Sequence, residues 1–299
     1  MVGLNTSPMI DWILENGTRV VPYNFYVRLL NRQRLRDEAA RFEREFGHLQ
    51  RLAAPNAALK SRHQGRRAFI LCNGPTTLQQ NLHPLAGECV FSVSTGYLHP
   101  DYDRIKPRYH CIPQLTYGRI TEQDAVALFR EMHARVGDAE VFLSATEEDL
   151  VRRHGLFPGR TLHYLFLHED FDRLASRNIL DISAAVPGVQ SVPIMASMVA
   201  LYMGFKDIYL LGTEHSDFRT REYRYAFEQT VLKGKDFTVG DDGKTLTSRF
   251  DDFHSFARLW RQYRATREIA EENGARLWNA TAGGELDELP RARLEDIVG

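Results

Sequence analysis

Two stretches far apart in the sequence decide how this chain is read. The first is Ala68-Phe69-Ile70-Leu71-Cys72-Asn73-Gly74-Pro75-Thr76-Thr77, and the second is Phe205-Lys206-Asp207-Ile208-Tyr209-Leu210-Leu211-Gly212-Thr213-Glu214-His215-Ser216. Each runs from apolar residues with no face alternation into glycine and small polar residues. A strand buried on both sides in a parallel sheet has that pattern. In an open α/β sheet, ligands sit beyond the carboxyl ends of such strands, where the strand order switches. The two polar junctions therefore outline one candidate site.

Outward from these strands the text alternates. Strands are expected at Cys89–Val93, Tyr109–Ile112, Glu140–Ser144, Thr161–Leu167 and Ala275–Trp278. Helices are expected at Thr76–Leu85, Thr121–Val136, Glu147–His154, Ser191–Met203 and Asp252–Asn273, with Thr121 as an N-cap. Strands alternating with helices predict an α/β fold: a Rossmann-like, doubly wound, mostly parallel sheet. Residues 66–299 form the catalytic domain on this reading. Residues 1–65 form an N-terminal helical extension, ending in a linker at Ala53–Gly65. Periodicity fails between Ser216 and Phe250, where Arg219, Arg221, Tyr223, Arg224, Tyr225, Lys233 and Lys235 cluster. A long irregular insert with this content reads as a lid, about 216–250, over an anionic, ring-bearing ligand.

Composition narrows the function. The 299 residues carry a formal net charge of -1, so bulk electrostatics make no case for nucleic acid. Three cysteines, Cys72, Cys89 and Cys111, lie within one segment with no CxxC pair, an odd and sparse set that points to reduced thiols and a cytoplasmic setting. No secretory signal and no stretch of transmembrane length is visible. Tyr26–Leu52 reads as a basic amphipathic helix bearing Arg28, Arg32, Arg34, Arg36, Arg41, Arg44 and Arg51. Such a helix either rests on an anionic membrane surface or a partner, or packs on the catalytic domain with its arginines in solvent.

The chemistry-bearing residues follow from the junctions. Gly74 permits a tight turn, Pro75 ends the strand, and Thr76 or Thr77 caps the next helix, whose free N–H groups favour an anion. Asn73 offers a donor and an acceptor to a base or sugar hydroxyl. A plain strand–turn–helix connection has the same pattern. His254, after the insert, suits a general base, or equally a surface or capping histidine. Glu214 suits a residue that orients the His215 imidazole or binds a hydroxyl. No metal-ligand spacing and no G-x-S-x-G elbow occurs.

In order and spacing, these segments resemble bacterial sialyltransferases of glycosyltransferase family 42. They equally resemble the group containing motility accessory factors and 6-hydroxymethylpterin diphosphokinase-like proteins. The resemblance runs through Phe69–Thr76, Val90–Ser94, Ile105–Tyr109, Ser191–Gly204, Ile208–Ser216, His254 and Ala275–Thr281. It implies a metal-independent inverting transferase that moves a nonulosonic-type sugar from a CMP-activated donor, with no further cofactor. Asn73, Gly74, Pro75, Thr76, Ser94, Ser191, Gly212, Thr213, Glu214, His215 and Ser216 are then the substrate-binding set. His254 is the base, and Tyr223 and Tyr225 hold the leaving phosphate. Cys72, Ser94 and Ser216 stand where the family has Gly, Asn and Tyr.

The partners implied are the nucleotide sugar, a glycan or protein acceptor, the inner face of a membrane against the Arg-rich helix, and a second copy of the chain. The alternatives are a Mg²⁺-dependent pyrophosphokinase acting on a pterin-type alcohol, and a non-catalytic nucleotide- or glycan-binding protein. Pro113-Gln114 replaces the acid expected after the third strand in the kinase-like branch, which argues against the first of these.

Overall fold

A computed structural model describes residues 8–16, 21, 23–113, 115, 120–171, 180–216, 225–231 and 247–299. The chain divides into two compact units, Met1–Arg51 and Leu52–Gly299. In the first lies α1 (Pro8–Asn16), followed by the long helix α2 (Tyr23–Ala53). Leu, Arg, Glu, Gln and Ala dominate α2, all strong helix formers. Pairs four residues apart stitch its surface, among them Arg34–Glu38 at 2.8 Å and the Phe42–Phe46 rings at 5.4 Å.

The second unit is built on eight parallel strands, β1 (Arg67–Leu71), β2 (Val90–Val93), β3 (Tyr109–Cys111), β4 (Glu140–Ser144), β5 (Leu162–Glu169), β6 (Ala185–Pro187), β7 (Asp207–Leu211) and β8 (Arg276–Asn279). Their order in the sheet is β6-β5-β4-β3-β2-β1-β7-β8. The expected α/β sheet is thus present, and every strand pair in it is parallel. Strand β1 shows why alternation is missing: Ala68, Ile70 and Cys72 enter one apolar cluster, while Phe69 and Leu71 enter another on the opposite face. With both faces covered, neither parity of residue can be polar.

Helices cover the faces: α3 (Tyr102–Ile105), α4 (Glu122–Arg135), α5 (Glu148–Arg153), α6 (Val192–Tyr202), α7 (Arg249–Glu272) and α8 (Leu294–Val298). Nearly every residue of α6 is buried, because it lies between the sheet and α7. Thr121 caps α4 in a reciprocal box with Asp124, and Ser248 caps α7 in the same way with Asp251. The second box starts α7 three residues before the expected Asp252.

Three local expectations are corrected. Ala53–Gly65 is no free linker: Ala54–Leu59 is a 3-10 helix, and Asn56 Nδ2 donates to the Tyr164 and Ile182 carbonyls at 2.7 and 3.0 Å. That one amide ties the segment to β5 and to the approach to β6. Thr76–Leu85 is two short 3-10 turns, Pro75–Gln79 and His83–Leu85, not one helix. Strand β6 was not foreseen; it ends in Pro187, which an edge strand tolerates because its outer N–H has no neighbour to serve. No helix among the described residues is long and apolar enough to cross a membrane.

Candidate functional site

The strand order places the site. From β1 the chain builds outward through β2 to β6; it then crosses back to lay β7 on the other side of β1, with β8 beyond. The order switches between β1 and β7, so the two stretches quoted at the outset are neighbours, and a crevice opens beyond their carboxyl ends. Pairing continues past the strands, with Cys72 N–H on Leu211 O at 2.9 Å and Gly74 N–H on Gly212 O at 3.1 Å. Gly212 has φ +70°, and a Cβ there would meet Thr77 Cγ2 at 2.6 Å. Gly74 is required for space, since a Cβ would overlap the Glu214 carboxylate.

Glu214 is committed inside the crevice. Its Oε1 accepts the Thr76 amide hydrogen at 2.7 Å and also the Thr76 hydroxyl. The anion at this 3-10 start is therefore the chain's own carboxylate, where the sequence reading expected a bound one. Thr213 is likewise anchored, its N–H and hydroxyl both 3.0 Å from Thr281 Oγ1. Burial pushes the Cys72 thiol well up, which leaves it inert beneath the turn.

On the other side of β1, Asn73 meets the loop after β2. Its Nδ2 donates to Thr95 Oγ1 at 3.4 Å, while its Oδ1 is buried without a partner among the described residues. Ser94 turns the chain at φ +48°, a left-handed conformation uncommon for a serine. Residues 225–231 of the expected lid lie across this corner. Ala226 N–H donates to Asn73 O at 2.8 Å, Gln229 Nε2 to Thr95 Oγ1 at 2.9 Å, and Thr230 Oγ1 to Glu131 Oε1 at 2.6 Å. Thr95, Gln229 and the nearby His99 were missed in the sequence. Ser94-Thr95-Gly96 follows a wholly buried strand and runs into glycine, the same sign that drew attention to β1 and β7.

The histidines separate. His215, at φ +46°, bonds Tyr263 Oη through Nε2 at 2.8 Å, and burial lowers its pKa to about 4. Tyr263, not Glu214, orients that ring. Burial raises the Tyr263 phenol well above its usual value, with a smaller opposing effect from the Ser191 hydroxyl. His254 lies on the exposed side of α7, its ring 6.2 Å from that of Phe250. Its neighbour Ser255 turns inward and accepts from Gln190 Nε2 at 2.8 Å. Among the described residues no hydrogen bond links His254 to Asn73, Ser94 or Glu214. Tyr225 is 46% exposed, Ser216 and Pro75 are half-buried, and Tyr223 lies outside the described residues.

A separate pocket of about 600 Å³ lies beyond β8, lined by Gln80, Thr281, Gly283, Arg291, Arg293 and Glu295 among others. Arg291 builds its wall, donating to the carbonyls of Thr281, Gly283 and Gly284.

No family model matches this chain, and no curated protein matches it in sequence. Solved structures similar to it include these two. One is a MAf glycosyltransferase from Magnetospirillum magneticum AMB-1, at 16% identity and a TM-score of 0.45, over 82% of this chain and 38% of that one. The other is the sialyltransferase CST-II in complex with trisaccharide acceptor and CMP, at 17% identity and a TM-score of 0.41, over 76% of this chain and 86% of that one. The chain thus spans less than half the length of the first.

Proposed function

We propose that this protein is a glycosyltransferase that moves a nonulosonic-type sugar from a CMP-activated donor to a glycan or protein acceptor. The observation that carries the reading is the corner where Asn73, Ser94 and Thr95 meet beyond β1 and β2, next to the β1–β7 switch in strand order, with an acceptor atom of Asn73 buried and unsatisfied among the described residues. A nucleotide laid there would find Asn73, the Gly74 turn and the Ser94 loop in one wall. Tyr225 precedes Ala226, whose N–H is bonded to Asn73 O, and with Tyr223 it is assigned to the leaving phosphate.

The reaction is an inverting displacement. The acceptor hydroxyl oxygen bonds to the anomeric carbon as the bond from that carbon to the phosphate oxygen breaks. CMP departs with the electron pair, and His254 takes the hydroxyl proton. An exposed base suits a large acceptor arriving from solvent. The diphosphokinase alternative needs carboxylates free to hold Mg²⁺ beside phosphates, and the crevice's Glu214 is tied to Thr76.

Incubation with CMP-sialic acid and related donors, with a panel of acceptors, tests the reading. CMP release dependent on acceptor is expected; absence of release with every donor, together with no thermal shift on adding CMP, overturns it. The reading also sets the protein in the cytoplasm at the inner face of a membrane. Arg28, Arg32 and Arg36, spaced four apart on α2, would face anionic lipid. Cosedimentation with phosphatidylserine vesicles, lost at high salt, checks that placement.

A further inference from the structure

His99 follows the 3-10 turn Gly96–Leu98 in the loop after β2 and is 3% exposed. Its Nδ1 accepts the Asp101 amide hydrogen at 3.1 Å. Burial lowers its pKa, so the ring is neutral near pH 7, and its single N–H must lie on Nε2. That Nε2 is buried and has no acceptor among the described residues. Asn73 supplies the complementary orphan. It is 8% exposed, its Nδ2 is held by Thr95, and its Oδ1 has no donor among the described residues.

The loop that carries His99 also touches Asn73. His99 N–H bonds Gly96 O at 3.0 Å, and a Cβ on Gly96 would stand 3.2 Å from Asn73 Oδ1. Residues 225–231 cover the two together, with Ala226 N–H on Asn73 O and the Phe227 ring edge-on to His99 at 6.4 Å. Buried polar groups in folded proteins are almost always paired, and each unmade bond is costly. An orphan donor and an orphan acceptor under one cover point to a ligand that carries both functions.

We propose that His99 Nε2 and Asn73 Oδ1 together read the hydrogen-bonding edge of a nucleobase. The His99 N–H donates to a ring acceptor, and Asn73 Oδ1 accepts an N–H of the same edge. A sugar hydroxyl serves both atoms only from a single oxygen within reach of each; a base edge carries donor and acceptor on adjacent atoms of one planar group. His99 is then a ligand-binding residue that the sequence reading did not assign. The inference rests on the nucleotide reading of the cleft, but not on which group is transferred.

Calorimetric titration of the full chain with CMP and with ribose 5-phosphate, which lacks the base, tests it. The wild type is expected to bind CMP at least tenfold more tightly than ribose 5-phosphate. His99→Phe keeps a ring and removes the donor; it is expected to weaken CMP about tenfold and to leave ribose 5-phosphate unchanged. His99→Gln, which restores an N–H, is expected to recover most of the CMP affinity. Melting temperatures and circular dichroism establish that each variant is folded.

Unchanged CMP affinity in folded His99→Phe, equal loss for both ligands, or no binding of CMP by the wild type overturns the proposal. CMP binding with this pattern but no sugar transfer sinks the transferase reading alone. Transfer with a His99-independent preference for CMP sinks this inference alone.

Discussion

Thr76 and Glu214 meet across the β1–β7 boundary, the amide of one 2.7 Å from the carboxylate of the other. The turn after β1 and the end of β7 are therefore one rigid piece, and Gly74 lies in contact with the same carboxylate. Glu214→Ala strands the Thr76 amide, and a loss of about 1–3 kcal/mol is expected in urea unfolding. Gly74→Ala is expected to cost more, because its methyl also comes within 2.5 Å of Gly212 O. In the double variant the carboxylate clash disappears, so the combined loss should fall short of the sum. Strict additivity would show that the two residues do not touch.

His254 is tested by separating turnover from binding. His254→Ala should lower kcat by about 10²–10⁴-fold, the usual contribution of a positioned base, and leave CMP affinity unaltered. His215→Phe breaks the bond to Tyr263 inside the fold and should show mainly as a lower melting temperature. If His215→Phe abolishes turnover in a folded protein while His254→Ala does not, the base has been misassigned.

Stability should fall on mild acidification. Burial lowers the pKa of His110 to about 3 and that of His215 to about 4; His63, lowered chiefly by burial and then by Arg108 and other arginines, also comes to about 4. Above about pH 7 all three are neutral in both folded and unfolded chains. Between about 6.5 and 4 the unfolded chain takes up protons that the folded one refuses, so stability drops as pH falls. For fully buried His110 the slope is about 1.4 kcal/mol per pH unit within that window. Glu140, held near 2 chiefly by its hydrogen bond from His163, loses its contribution only below about pH 4.5. Urea unfolding from pH 7.5 to 4.5 measures the slope, and His110→Gln should make it shallower.

Gln229 pins residues 225–231 to the loop after β2 through Thr95. Gln229→Ala should release that end of the segment and lower hydrogen-exchange protection of the Ala226 amide by about fivefold, one ordinary hydrogen bond. Unchanged protection would mean that Ala226 is held by Asn73 O alone.

Much of this architecture could be read in advance because apolar periodicity is a local property. Glu140–Ser144 is delimited to the residue, and Thr121 is recognised as a cap from its own neighbourhood. Strand β6 escaped because three residues ending in proline carry no periodicity. Asn56 escaped because its amide acts on carbonyls more than a hundred residues away. The site divides along the same line. Asn73, Gly74 and Gly212 stand out wherever a buried strand breaks into glycine. The Thr76–Glu214 pair, the Thr95–Gln229 bond and the unspent hydrogen of His99 arise only when distant segments meet. The exposure of His254 belongs to this second kind, since it depends on which side of α7 the sheet covers.

The place of β1 in the sheet bears on how the protein is made. Arg67–Leu71 must await Asp207–Leu211 before its second edge is filled. A nascent chain therefore leaves the ribosome with a greasy, half-matched ribbon until most of its length has been translated. Such a delay invites aggregation. Slower translation or added chaperone should raise the yield of native protein, and fragments ending before β7 should accumulate in inclusion bodies.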